Sequence, residues 1–280
     1  MRIEKGGNHM IGAIIGDIVG SRFEFDNHRS MEFELFAEDC FVTDDSVMTL
    51  AVAKAIMMTD QEVLGDLTST RIDKDYLEQL STNTIKAMQS IGRKYPDCGY
   101  GGNFYGWIFS SDPQPYNSYG NGAAMRISPV SEVAQSIEEV KKLSKAVTVI
   151  SHNHEEGIKG AEATAMAAYL ARTGHDKEQI RKYIEDHYYT LDFTIDEIRD
   201  TYEFNETCQE TVPQAIQAFL EAESFEDAIR KAISVGGDSD TIAAITGGIA
   251  EAYYGVPKEL RDEALSYLDG DLLEIIRKWI

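Results

Sequence analysis

Helix-start signals recur along the whole chain, while no stretch keeps the apolar–polar alternation of a half-buried strand. Oxygen-bearing side chains precede the segments 45–58 and 241–254, and a pattern resembling a capping box begins at Ser224. Between such signals lie Ala-rich amphipathic runs, such as 157–172, which Gly174 closes as a C-terminal cap. This combination predicts an all-α fold.

Further helices are expected over 11–20 and 75–91, from Thr211-Val212-Pro213 onward, and twice after Gly255. In the first of them, glycines repeat at every fourth position, which places them on one helical face where a neighbouring backbone can approach closely. They are Gly12, Gly16 and Gly20. A purely structural interpretation of this glycine face is tight helix packing.

Two segments depart from the helical pattern. Residues 95–128 hold six glycines together with Pro113 and Pro115. We expect long irregular structure there, and long loops in compact domains tend to be functional. Residues 147–150 could form a short strand by propensity, although no second β-run lies nearby to pair with it.

The charge balance argues against some classes of partner. Acidic residues outnumber basic ones 48 to 26, for a net charge of −22. Duplex-binding proteins need a positive face, and the longest basic cluster here is Lys141-Lys142. We therefore expect no nucleic acid and no membrane as a partner. Some of the carboxylates are candidates to hold cations.

Cysteine usage and the first residues bear on location. The three cysteines are far apart and form no C-x-x-C motif, which is typical of a reducing compartment. Residues 1–10 contain no signal-like apolar run, and the apolar stretch 11–19 is too short to span a bilayer. We expect a cytoplasmic protein whose single domain covers 10–280, with 1–9 as a possible N-terminal extension.

Two Asp-rich clusters stand directly before helices. The first is Thr43-Asp44-Asp45-Ser46, and the second is Asp238-Ser239-Asp240-Thr241 after a double glycine. One oxygen side chain suffices to cap a helix, so capping alone does not account for either cluster. Adjacent carboxylates repel each other unless a cation lies between them. Hard oxygen ligands suit Mg²⁺ or Mn²⁺ better than zinc, and the two clusters together could hold two ions.

Six sequence blocks follow one another over roughly 11–255: Gly12-x3-Gly16-Asp17-x2-Gly20-Ser21-x-Phe23-Glu24, Thr43-Asp44-Asp45-Ser46, Asn121-Gly122-x2-Met125-Arg126, Ser151-His152, Glu210-Thr211-Val212-Pro213 and Gly236-Gly237-Asp238-Ser239-Asp240-Thr241. Together and in this order they resemble the motifs of the ADP-ribosylglycohydrolase family. The resemblance implies one compact orthogonal helical bundle with a dinuclear Mg²⁺ or Mn²⁺ centre in a cleft. It also implies hydrolysis of the glycosidic bond of an ADP-ribosylated protein or small molecule.

The resemblance further implies roles for individual residues. Glu24 would be the acidic group near the scissile bond, as a general base or as a stabiliser of developing positive charge. The implied metal ligands are Thr43, Asp44, Asp45, Asp238, Asp240 and Thr241. The candidates to contact ADP-ribose are Gly101, Gly102, Asn121, Gly122, Met125, Arg126 and His152.

Alternatives remain open at individual residues. Arg126 could pair with a phosphate or brace its loop, and His152 could bind substrate or be a structural histidine. A zinc site at His152 and His154 lacks the usual ligand spacing. Asn103-Phe104 follow Gly101-Gly102 where smaller residues are expected, which puts the distal substrate pocket in question.

Two other functions compete with the hydrolase. One is a non-catalytic ADP-ribose-binding or structural relative of the same fold. The other is a nucleotide-sugar-processing enzyme or phosphatase that uses Asp238-x-Asp240, although its Asp motif should follow a buried strand. The sequence names neither the acceptor nor the metal, and it leaves the oligomeric state open, with a monomer slightly favoured.

Overall fold

The computed structural model describes residues 10–64 and 72–279, and within these ranges it contains fourteen α-helices and no strand. The helices are α1 Ile11–Gly20, α2 Asp44–Thr59, α3 Lys74–Gly92, α4 Gly102–Phe109, α5 Ser128–Val133, α6 Ile137–Thr148, α7 Glu155–Arg172, α8 Lys177–His187, α9 Ile195–Ile198, α10 Cys208–Glu221, α11 Phe225–Ser234, α12 Ser239–Tyr254, α13 Lys258–Ser266 and α14 Gly270–Lys278. Short 3₁₀ turns span Ser21–Phe23 and Asn121–Ala123, and a π-helical turn, Asp60–Leu64, continues α2. The predicted all-α fold is confirmed.

The predicted domain boundary lies at residue 10, and residues 1–9 and 280 are outside the described residues. The division into a domain over 10–280 and an extension over 1–9 therefore stays a prediction. Among the described residues, no helix combines the length and apolar character needed to cross a membrane.

Helices α1 and α12 pack against each other at the centre of the bundle. Every residue of α1 is buried, and its glycine face lies directly on the α12 backbone. A Cβ atom on Gly16 would stand 2.0 Å from the Ala243 carbonyl oxygen, and one on Gly12 would stand 2.3 Å from that of Gly247. A third, on Gly20, would lie 2.5 Å from the Cα of Asp240. The glycines thus bring the end of α1 beside the start of α12.

Most predicted helix ends are confirmed. Thr43 caps α2 and accepts a hydrogen bond from the Asp45 backbone N–H at 3.4 Å. Beyond α7 and α12, Gly174 and Gly255 have φ angles of 89° and 74°, the left-handed region that glycine enters without strain. Ser224 caps α11, but the Asp227 carboxylate accepts from the Glu223 N–H, so the capping box is not reciprocal in the usual form.

Three local expectations were wrong. Within 95–128, residues Gly102–Phe109 form α4 because its apolar face is buried and Trp107 Nε1 donates to the Ile150 carbonyl at 3.1 Å. Residues 147–150 form no strand, since α6 runs to Thr148 and buries Val147 against the core. In α10 the helix begins at Cys208, not near Thr211, and Pro213 lies inside it.

Candidate metal centre and substrate cleft

The two Asp-rich clusters meet at one site, although 193 positions separate Asp45 from Asp238 in the chain. The Thr241 hydroxyl donates to Asp45 Oδ2 at 3.3 Å, across the starts of α2 and α12. Carboxylate oxygens of Asp17, Asp45 and Asp240 lie within 4.8 Å of one another. The same holds for Glu24, Asp238 and Asp240. The tight α1–α12 contact produces this convergence, because it brings the end of α1 and the first turn of α12 together.

The electrostatics of this cluster are those of buried, like-charged groups. Burial raises the pKa of Asp44, Asp45 and Asp240 well above the usual value, and neighbouring carboxylates raise it further. Burial also raises the pKa of Asp238. No cationic side chain is among the causes that lower any of these four pKa values. Bound divalent ions would supply the missing positive charge.

The donor set fits divalent cations that prefer oxygen. Asp45 Oδ1 is buried and has no hydrogen-bond partner among the described residues. Such an orphaned oxygen is costly unless something outside the protein satisfies it. The groups around it are carboxylates and the Thr241 hydroxyl, which suit Mg²⁺ or Mn²⁺ and not zinc.

Asp17 holds the first cluster in place from α1. Its fully buried carboxylate accepts the backbone N–H of Thr43 and of Ser46, each at 3.1 Å, and it also accepts both of their hydroxyls. Four donors from the start of α2 thus converge on one side chain. Burial raises the pKa of Asp17 to about 6. The sequence analysis included Asp17 in a motif but gave it no role.

A cleft of about 240 Å³ opens beside the Asp cluster. Every predicted site residue lines it except Thr43, which is buried at the α2 cap with its hydroxyl turned to Asp17. The cleft is also lined by residues that sequence reasoning missed or did not assign a role: Gly99, Asn103, Phe104, Tyr116, Ser118, Gly120 and Glu206. Only their place in the 95–128 segment could have drawn attention to most of them.

Glu24 lies at the end of the 3₁₀ turn that follows α1, half-buried at the edge of the cleft. The Asn27 side chain donates to the carbonyls of Glu24 and Gly237, each at 2.9 Å, and accepts the Gly237 N–H at 2.7 Å. This ties the Glu24 turn to the glycine pair that precedes Asp238. Burial, followed by the charges of Asp238 and Glu206, raises the pKa of Glu24 to about 7.

Arg126 and His152 form a buried polar group on the cleft wall. Arg126 Nη2 donates to Ser151 Oγ at 2.9 Å and lies 3.3 Å from His152 Nδ1, so this arginine joins its loop to the Ser151-His152 segment. Its Nε and Nη1, however, have no partner among the described residues. Burial lowers the pKa of Arg126 to about 10 and, together with the Arg126 charge, lowers that of His152 well below its usual value. The imidazole is therefore neutral at pH 7.

The Gly-rich segments have separate tasks. Asn121 Nδ2 donates to Asp238 Oδ2 at 2.6 Å and to Thr211 Oγ1 at 3.2 Å, so its side chain orients a predicted metal ligand. Gly101 and Gly102, at the start of α4, would each have open space around an added Cβ. The Phe104 side chain fits below them, because it is buried and stacks on Trp107 with ring centroids 5.4 Å apart.

Comparison with known proteins places this geometry in a family. The family model described as ADP-ribosylglycohydrolase matches residues 4–280. The human ADP-ribosylhydrolase ARH3 is 24% identical over an alignment that covers 94% of this chain and 90% of that protein. The ADP-ribosylarginine hydrolase Tri1 of Pseudomonas putida is also 24% identical, with coverages of 91% and 71%.

A solved structure titled "ADP-ribosylglycohydrolase-related protein complex" has the same fold. It aligns with a TM-score of 0.62 at 20% identity and covers 97% of this chain and 96% of its own. The fold agrees with the family model, which spans nearly the whole sequence. The chain therefore belongs to the ADP-ribosylglycohydrolase family.

Proposed function

We propose that this protein hydrolyses the glycosidic bond of an ADP-ribosylated substrate and releases ADP-ribose, with two divalent cations, Mg²⁺ or Mn²⁺, at the Asp cluster. The observation that carries the proposal is the single cleft that joins four aspartates, three of them buried, with the half-buried Glu24 and a buried arginine with unpaired N–H groups. The six predicted ligands Thr43, Asp44, Asp45, Asp238, Asp240 and Thr241 would hold the ions.

When bound, the two cations would orient the ribose hydroxyls and polarise the attacking water. The residues of the chain have more specific tasks. Asp17 keeps the start of α2 in place through its four donors, and Asn121 keeps the Asp238 carboxylate turned toward the centre. Contacts of this kind hold metal ligands in a fixed orientation.

Glu24 acts as the general base and then as the general acid. Water forms a bond to the anomeric carbon, and the bond from that carbon to the acceptor breaks with its electron pair on the acceptor atom. The proton lost by the water goes to Glu24 and then to the departing acceptor. A pKa of about 7 lets this carboxylate take up and release a proton at neutral pH.

The other polar groups of the cleft would bind the anionic diphosphate of ADP-ribose. Arg126 Nε and Nη1 are buried donors without protein partners, and charged donors of this kind bind phosphate strongly. The α4 N-terminus begins at Gly102 and has no side-chain cap, so its free N–H groups and helix dipole favour an anion. His152, as a neutral imidazole, completes this wall of the cleft with a hydrogen bond to substrate.

The decisive experiment is a screen of ADP-ribosyl conjugates with added Mg²⁺ or Mn²⁺, in which released ADP-ribose is measured. Arginine-linked, serine-linked and O-acetyl conjugates should be included. Glu24→Gln should keep metal and ADP-ribose binding and lose about 10²–10⁴-fold in turnover, the usual contribution of a general acid–base group. Wild-type turnover in that variant would remove Glu24 from the mechanism.

The same screen separates the competing functions. ADP-ribose binding without release from any conjugate would favour the non-catalytic relative. A phosphatase of the Asp-x-Asp kind needs its motif after a buried strand, whereas Asp238 here follows a short glycine-containing turn between α11 and α12. Release of inorganic phosphate instead of ADP-ribose would nonetheless overturn the glycohydrolase proposal.

A further inference from the structure

Two large aromatic side chains stand exposed at the edge of the cleft, next to Glu24. Phe25 directly follows Glu24 and is 86% exposed, and Phe204 is 42% exposed. Their rings stack across two separate loops, with centroids 6.1 Å apart and an interplanar angle of 24°. Exposed apolar groups that form a patch usually mark a binding surface, and no part of the mechanism above uses this pair.

The two loops are fixed to each other by partly buried polar contacts. Arg29 lies just after Phe25, and its guanidinium donates to the carbonyls of Arg199, Val235 and Tyr202. Tyr202 in turn donates from its hydroxyl to the Glu210 carbonyl. The loop that carries Phe25 and the loop that carries Phe204 are therefore joined by the protein framework, and not by the ring stack alone.

Exposed carboxylates flank both aromatic residues in the chain. Asp26, Glu203 and Glu206 are exposed neighbours of Phe25 and Phe204 in the chain, and Glu206 also lines the cleft. Within the part of the chain that the structure describes, none of these three forms a salt bridge. We call Phe25, Asp26, Glu203, Phe204 and Glu206 together the aromatic rim. Its chemistry is that of a cation site, because ring faces and carboxylates both attract positive charge.

We propose that the aromatic rim binds a cationic side chain of the polypeptide acceptor, next to the bond that is cleaved. This inference rests on the proposed function. The diphosphate of ADP-ribose is anionic and is repelled by the rim carboxylates, whereas Arg126 attracts it. The acceptor is the remaining part of the substrate, and it leaves from the carbon beside Glu24. The cation is the modified arginine itself or a basic residue next to a modified serine.

The test compares three synthetic peptides that carry one ADP-ribose each. In the first, ADP-ribose is on arginine with neutral flanking residues; in the second, on serine beside lysines; in the third, on serine with neutral flanks. We expect at least one of the first two to show a KM roughly 10-fold below that of the third, with a preference that weakens as salt rises. Comparing the first two peptides shows whether the bound cation is the modified arginine or a lysine beside the modified serine.

Substitutions then locate the preference on the rim. Phe25→Ala and Phe204→Ala should each reduce the preference for the cationic peptides about 5-fold, which corresponds to about 1 kcal/mol for a cation–π contact. The double variant Asp26→Asn, Glu203→Gln should also reduce this preference and make it less dependent on salt concentration. Phe109→Ala is the matched control, since Phe109 also contacts an exposed ring, Tyr105, is 44% exposed and lies on α4, away from the rim loops.

Three outcomes would overturn the proposal. In one, the neutral serine peptide is hydrolysed as efficiently as the cationic ones. In another, Phe109→Ala changes the preference as much as the rim variants do. In the third, Phe25→Ala and Phe204→Ala weaken the binding of free ADP-ribose, measured by calorimetry, because the rings stack on adenine. If no conjugate at all releases ADP-ribose, the proposed function itself fails, a result distinct from these three.

Discussion

At the scale of single residues, Asp17 is the side chain whose task the structure defines most closely. Its carboxylate accepts four hydrogen bonds from Thr43 and Ser46, three of them at Oδ2, and Asp17 is not among the residues that line the cleft. It therefore positions the start of α2, which carries Asp44 and Asp45. Its position follows from α1, where Gly16 and Gly20 let the helix approach α12 closely enough to bury the carboxylate.

Asp17→Asn should weaken metal binding while leaving the fold intact. The amide offers one accepting oxygen, and its NH₂ group faces donors, so Thr43 and Ser46 lose their fixed orientation. Removing a partner of this kind typically lowers metal affinity about 10–100-fold. Titration calorimetry with Mn²⁺ measures the affinity, and Asp75→Asn, an exposed carboxylate on α3, is the control. Unchanged Mn²⁺ affinity in Asp17→Asn would contradict the positioning role.

At the scale of elements, the α1–α12 contact is the interaction on which the site depends. A methyl group on Gly16 would overlap the Ala243 carbonyl at 2.0 Å, and both helices are buried, so neither can move aside. Gly16→Ala should therefore destabilise the protein by about 3 kcal/mol, the upper end of the usual cost of overpacking, and weaken metal binding with it. Chemical denaturation measures the loss.

Gly106→Ala is the matched control for this prediction. Gly106 lies inside the exposed part of α4, where an added Cβ has open space. Replacing a helical glycine by alanine there should stabilise the protein by about 0.5–1 kcal/mol. Equal effects of the two substitutions would show that helix propensity, and not the close contact, governs both positions.

The contacts at the buried N-terminus of α1 lead to a prediction about how stability depends on pH. Met10 has no capping side chain, and the Gly12 N–H donates instead to Glu251 Oε2 at 2.8 Å. Burial raises the pKa of Glu251 to about 7, and burial together with the Glu251 charge raises that of Glu132 well above its usual value. A carboxyl whose folded pKa is raised stabilises the fold at low pH and loses that contribution as pH rises through the folded pKa.

Glu251→Gln should therefore flatten the pH dependence of stability. Between pH 5 and 8 the wild type should lose about 2–3 kcal/mol of unfolding free energy that the variant keeps. The amide oxygen can still accept from Gly12. Urea denaturation at both pH values, compared between the two proteins, isolates this group from the other carboxylates. The exposed Glu259→Gln should behave like the wild type at both pH values.

At the scale of the whole molecule, the sequence predicted the helices and the location of the site better than the contacts inside it. Caps and glycines are local signals, so the starts of α2 and α12 could be predicted from neighbouring residues. Helix α4 could not, because Gly102 and Gly106 disfavour a helix in isolation and the buried Trp107 stabilises it. The valines near 147 likewise became helical through packing on the core.

The same reasoning explains which site residues were missed. Asp17 has the sequence context of a helix interior, and only the packing of α1 shows that it faces the start of α2. Glu206 and Phe204 lie in a loop without a motif, and their link to Glu24 exists only in three dimensions. Long-range proximity of this kind has no local signal, whereas Asp44, Asp45 and Asp240 could be found because excess carboxylates at a helix start are locally unusual.

The acidic cluster predicts that the carboxylates needed for metal binding lower the stability of the metal-free protein. Burial and the charges of Asp238, Asp45 and Glu24 raise the pKa of Asp240, so its ionised form destabilises the metal-free fold at neutral pH. Asp240→Asn removes one charge while keeping the size of the side chain. In the presence of a chelator, the variant should therefore unfold at a higher temperature than the wild type.

Added Mg²⁺ or Mn²⁺ should reverse that order. Ions that bind only the folded state at 100 times their Kd stabilise it by about 2.7 kcal/mol, which for a chain of this size is a rise in Tm of roughly 5–10 °C. The wild type should show this rise and Asp240→Asn should not, while the exposed Asp192→Asn should follow the wild type in both conditions. A metal-free Asp240→Asn protein that is less stable than the wild type would instead mean that the Asp240 carboxylate is part of the structural framework, since removing a buried charge that only repels its neighbours should raise stability.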